Sequence, residues 1–105
     1  MHTYSTTPQP IGTWHNGKTI YEVVFPNINI TLTTTWQTLA DISSLNVDEM
    51  VYVDMLGTYG GNKGSLIAFD AGQIGILNNA LVGYRLRANA IAKTIIFQYT
   101  TNASS

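Results

Sequence analysis

The sequence predicts an all-β fold, a jelly-roll-like antiparallel β-sandwich. Short runs of alternating or β-branched residues recur at a spacing of roughly 8–12 residues, which is the signature of a sandwich or barrel. Clusters of Gly, Asn, Ser and Pro separate those runs. No stretch keeps a helical period long enough to build a helical layer. Eight or nine such strands fit into the 105 residues, and a double-sheet roll is the natural way to manage their edges.

The elements follow in chain order. Residues 1–10, with Pro8 and Pro10 among threonines, read as an extended arm, since proline fixes φ and removes a donor. The β-sandwich domain is placed at residues 11–105. His15-Asn16-Gly17 makes a turn between strands at 11–14 and 18–25, because Asn-Gly tolerates positive φ. Ile28, Ile30 and Leu32 alternate with Asn29, Thr31 and Thr33, a period of two. The same parity continues to Trp36 and so predicts its burial unless a bulge intervenes. Residues 42–49 have room for one helical turn. A strand over 50–55 is apolar on both faces apart from Asp54. Residues 57–64 read as a glycine-rich loop. Further strands are expected at 65–69, 73–77, 81–87 and 93–101, separated by Asp70-Ala71-Gly72, Asn78-Asn79 and the stretch 88–92.

Composition narrows the function. Only 10% of residues are charged, with a net charge of −1, where roughly 25% charged is usual. A nucleic-acid binder shows a basic stripe, and none is present. No apolar run approaches the roughly 20 residues of a membrane span. Without cysteine there is no thiolate metal site and no disulfide framework. The two histidines lack a ligand spacing or a partner pattern for nucleophilic catalysis. The expectation is a binding domain that is not an enzyme and carries no metal or cofactor. Low charge with many aliphatic residues, including the strand at 50–55, predicts that part of the surface is covered by identical subunits.

The candidate binding residues are those whose chemistry suits a sugar. Trp36 and Tyr59 offer flat aromatic faces, with core or subunit packing as the alternative for tryptophan. Asp70 is an acceptor for hydroxyl donors, or else a cap for its own turn. Arg85 and Arg87 flank Leu86 and so share one strand face. Arg85 is taken as a planar donor fork, with ion pairing to Glu22, Asp54 or Asp70 as the alternative. His15 completes the set. The glycine-rich loop is not a phosphate cradle, because Lys63 is followed by Gly64 and a strand where that motif needs Ser or Thr at a helix start.

Tyr4, Ser5 and Thr6 lead into Ile11, Gly12, Trp14, Asn16, Gly17, Lys18, Ile20 and Tyr21. This pattern resembles a recurrent stretch in tail proteins of phages that infect Gram-positive bacteria, and residues 30–55 and 95–101 fit it more loosely. The resemblance is to the receptor-binding protein head of the lactococcal siphophage type. It implies a trimeric jelly roll at the tail tip or baseplate of the virion, in contact with other tail or baseplate proteins, that recognises host cell-wall polysaccharide. Sites in that family combine Trp, His, Asp and Arg. A structural tail or baseplate trimer without sugar binding is the alternative. The shoulder and neck that precede such heads are missing from the sequence, so residues 1–10 are expected to be either a neck remnant or the start of a small separate tip protein.

Overall fold

The computed structural model describes residues 4–102. Nine strands follow one another: β1 (Gln9–Thr13), β2 (Thr19–Phe25), β3 (Ile30–Thr31), β4 (Gln37–Asp41), β5 (Val47–Tyr59), β6 (Asn62–Ser65), β7 (Gly72–Leu77), β8 (Ala80–Arg85) and β9 (Ala90–Thr101). One 3-10 turn, Ser43–Leu45, lies where a single helical turn was expected. The strands form two antiparallel sheets, as the sequence predicts. The large sheet runs β1-β2-β9-β5-β6, with β3 also on β9, and the small sheet runs β4-β8-β7. The chain passes from sheet to sheet at β3–β4, β4–β5, β6–β7 and β8–β9, so consecutive segments close the sandwich from both sides.

Alternation decides which side chains meet. On the inner face of the large sheet, Val23 lies opposite Phe97, Phe25 opposite Ile95 and Tyr21 opposite Tyr99. Val53 and Met55 meet Phe97 and Ile95 from the other side. Tyr99 stacks on Phe97 at 4.9 Å and on Tyr21 at 6.0 Å, within the spacing at which aromatic pairs attract. The small sheet supplies Leu39 and Leu81 to the same core. Its glycines make room for the large sheet. A Cβ on Gly72 would stand 3.0 Å from the Met55 methyl, and one on Gly83 would stand 2.9 Å from Leu39 Cδ1 and 3.7 Å from the Met55 sulfur. Met55 therefore seats in a notch two strands wide, the kind of complementarity that close-packed interiors require.

Four expectations are corrected. Residues 57–64 are not a loop: β5 runs on through Tyr59, turns at Gly60-Gly61 and returns as β6. Residues 65–69 are not a strand. β6 ends at Ser65, and a tight turn follows in which Phe69 N–H donates to Ser65 O and Ala71 N–H to Leu66 O. The alternation of residues 28–36 holds through the buried Leu32 and breaks after Thr33. Thr33 Oγ1 bonds the Thr35 backbone and hydroxyl, and Thr33 N–H donates to the Gln37 side chain. That bend leaves Trp36 exposed. Finally, the strand at 50–55 is less surplus than it looked, since Met55 is in the core and Val53 packs on it, while Met50 and Tyr52 stay outside.

Candidate functional site

Strand direction gives the sandwich two distinct ends. At one, β5 and β9 finish on the pair Val47 and Thr101. The β1–β2 hairpin reaches this end, where Lys18 pairs with Asp48 and donates to Thr101 O. The 3-10 turn and the Asn78-Asn79 turn lie there as well, with Ile42 N–H bonded to Asn79 O and Asn102 N–H to Asn46 O. At the other end β5 and β9 meet at Tyr59 and Ala90, and β7 meets β8 at Gly72 and Arg85. The bend 32–36, the Gly60-Gly61 turn, the turn 66–71 and the loop 86–89 gather at this second, loop end. Arg85 N–H donates to Thr33 O, both Leu86 and Arg87 N–H groups reach Ala71 O, and Gly60 N–H reaches Asn89 O.

Four of the five sequence-predicted residues lie at the loop end. Trp36 is 51% exposed and meets Tyr84 edge-on, with ring centroids 4.5 Å apart. Tyr59 closes β5 and lies 6.1 Å from the Phe69 ring. The Arg87 guanidinium carbon stands 6.0 Å from the Tyr59 centroid, at the outer limit of cation–π attraction. Asp70 adopts φ 58° at the end of its turn, next to the Ala71 carbonyl that holds Leu86 and Arg87. No described residue bonds its carboxylate, so it does not cap the turn through its side chain. Arg85 is partly exposed at the last position of β8. Neither arginine is ion-paired with a described residue. Because β8 stops at Arg85, the alternation that would put both arginines on one strand face stops with it, and Arg87 turns to Tyr59 instead.

His15 is the residue that does not join. It is exposed in the β1–β2 turn at the opposite end, its ring 4.8 Å from that of Trp14. Trp14 is partly buried there, and its indole N–H finds no acceptor among the described residues. Phe69 and Tyr84, which position Tyr59 and Trp36, escaped the sequence reading. Trp36 and Tyr84 come from segments far apart in the chain, and Tyr59 and Phe69 meet across the β6 hairpin and the turn after it, so no local spacing signals either contact.

Charge is divided between the ends. Of the five basic residues, Lys63, Arg85 and Arg87 lie at the loop end and Lys93 early in β9, with Asp70 among them. Lys18 shares the opposite end with Asp41, Asp48 and Glu49. Asp41 accepts the Ser43 N–H, and that bond holds its carboxyl below the usual carboxylate range. The described surface holds no enclosed pocket. Among the described residues no three His, Asp or Glu side chains group closely enough to hold a metal ion. No protein family, curated protein or solved structure matches the chain.

Proposed function

We propose that the domain is a phage tail or baseplate receptor-binding head whose loop end recognises a host cell-wall saccharide, without catalysis. The observation that carries this reading is the convergence of Trp36, Tyr59, Asp70 and Arg85 at one end, joined by Arg87. Aromatic faces, an unengaged carboxylate and a donor fork are what a sugar's apolar ring face and hydroxyls call for. The tail-protein pattern of residues 4–21 supports the virion setting, and the homotrimer belongs to the same proposal.

The open, pocketless surface fits weak binding. A saccharide on a shallow site exchanges hydrogen bonds with water almost one for one, so the net gain is small. A monovalent Kd of roughly 10 μM to 1 mM is expected, a few kcal/mol of binding free energy, with avidity supplied by repeated copies. The same absence of a pocket favours the rival reading, a structural tail or baseplate component with no ligand.

Titration of host-wall polysaccharide, simple hexoses and glycerol phosphate separates the two. Tyr59→Ala, Asp70→Ala and Trp36→Ala should each lower saccharide binding at least tenfold, with the melting temperature close to wild type for Asp70→Ala and Trp36→Ala and lower for Tyr59→Ala, whose ring packs against the core. His15→Ala, at the far end, should bind normally. Unchanged binding in all three loop-end variants, or no binding by the wild-type domain to any host-wall preparation, overturns the proposal.

A further inference from the structure

We infer that the outer edge of β7 joins two copies of this chain into one continuous sheet. The terminal strands of the two sheets are four, β1 and β6 on the large one and β4 and β7 on the small one, while the other open stretches are the two-residue β3 and residues 47–54 of β5, which carry Asp48, Glu49 and Asp54 and two register shifts. Natural edges are protected by proline, charge, bulges or brevity, and three of these four are. β1 carries Pro10 and a register shift. β6 has four residues, with Lys63 among them. β4 carries Asp41 and a register shift between Thr38 and Ala40. β7, with the sequence GQIGIL, has no charge, no proline and no register shift against β8. No hydrogen bond reaches it from any described segment except β8, so one side of its backbone is unpaired. Ile76 and Leu77 are 38% and 52% exposed beside it.

Charge selects a second copy as the occupant. Two identical strands that meet about a two-fold axis bring two copies of every charge into one contact, and of the edge strands longer than two residues β7 alone combines the absence of charge with the absence of proline and register shift. Register then follows from the pleat. Residues directly opposite in an antiparallel pair point to the same face. Ile74 and Ile76 share the inner parity of the small sheet, and Ile74 packs against the core. A two-fold through Gly75 keeps both cores on one side of the joined sheet. It sets Ile74 opposite Ile76 of the partner subunit, and the reverse, with Gly75 opposite itself. Both pairs are β-branched, the kind that stabilises adjacent strands. The contact is isologous and therefore closes at two copies. It lies on the small sheet and leaves the outer face of the large sheet free for a separate contact.

The chain has no cysteine, so one introduced thiol reports the register. A Cβ on Gly75 meets nothing within 4 Å, so Gly75→Cys fits the single chain. Across the proposed axis its Cα lies about 4.5–5.5 Å from its copy, inside the range a disulfide spans. Gln73→Cys would face Leu77 of the partner subunit, about 13 Å along the strand from its own copy. Mild oxidation of the full chain should therefore cross-link Gly75→Cys into covalent dimers and leave Gln73→Cys uncross-linked. Ile76→Lys, exposed in the single chain, should halve the mass seen by light scattering at unchanged circular dichroism. Failure of Gly75→Cys to cross-link, equal cross-linking by Gln73→Cys, or an unchanged mass for Ile76→Lys overturns the inference.

Discussion

Gly57 shows how one residue sets the course of a strand. It lies within β5, where a register shift brings the strand close to β9. A Cβ there would stand 1.9 Å from Ile91 O, and the obstacle is backbone, which has no rotamer to escape into. Gly57→Ala must push two central strands apart, so it should cost about 3 kcal/mol, the upper part of the overpacking range. A urea midpoint within error of wild type would show that the sheet yields more easily than this geometry implies. Tyr99 makes a second residue-scale case. Burial raises its phenol above the ordinary value, and the neighbouring Tyr21 adds to the effect. The folded protein then keeps a proton that the unfolded chain has lost, so this contribution to stability is full below about pH 10 and disappears as pH rises through the raised value. Melting temperature should fall above pH 10, and Tyr99→Phe should make that fall shallower. Equal slopes for the two proteins would mean that Tyr99 does not govern the alkaline limb.

At the scale of elements, the strands that alternate are the ones the sequence makes legible. The regions 19–25, 73–77 and 93–101 carry β-branched and aromatic residues in pleated register, and each is a strand of that sheet pair. What misleads is glycine, which marks both loops and close approaches. Gly57 reads as the opening of a loop because nothing local reveals the β9 backbone beside it. Trp36 misleads in the opposite direction. Its parity matches Ile28, Ile30 and Leu32, but the Thr33–Gln37 and Thr33–Thr35 bonds close a bend that resets the alternation before β4 begins. Asparagine is the quieter signal. Asn27, Asn29, Asn46, Asn78, Asn79 and Asn89 all adopt positive φ, the conformation that short polar side chains tolerate best after glycine. The turn at Asn78-Asn79, with two such residues in succession, has the backbone of a type I′ hairpin. The residue types of the candidate site were legible, and their assembly was not. Tyr59 with Arg87 and Trp36 with Tyr84 are neighbours only because β5, β8 and the 32–36 bend end at the same place.

The molecule as a whole is a flat body of 43 × 33 × 22 Å, thin because two sheets about 10 Å apart make its depth. Flatness leaves the outer face of the large sheet as its broadest surface. Val24 lies opposite Ile96 on that face, and Leu56 lies opposite Thr94 one strand further. All are partly exposed, with Tyr52, opposite Gln98, exposed beyond them. Asp54 is tied down there by Tyr52 and Ser65, and Gln98 donates to Glu22, so the polar groups in the stripe arrive with partners. Apolar residues with satisfied polar neighbours are what the centre of a subunit contact requires, and the proposed homotrimer would place this face on its axis. The test is cleanest in the Ile76→Lys protein, where the β7 edge is charged and the large-sheet contact acts alone. Its mass by light scattering at micromolar concentration should be three times 11.5 kDa. Adding Ile96→Lys, which sets three cations around the axis, should return the mass to 11.5 kDa with the strand signal in circular dichroism intact. A monomer mass before that second substitution would overturn the threefold contact, leaving the loop-end binding proposal and the β7 pairing to stand on their own tests.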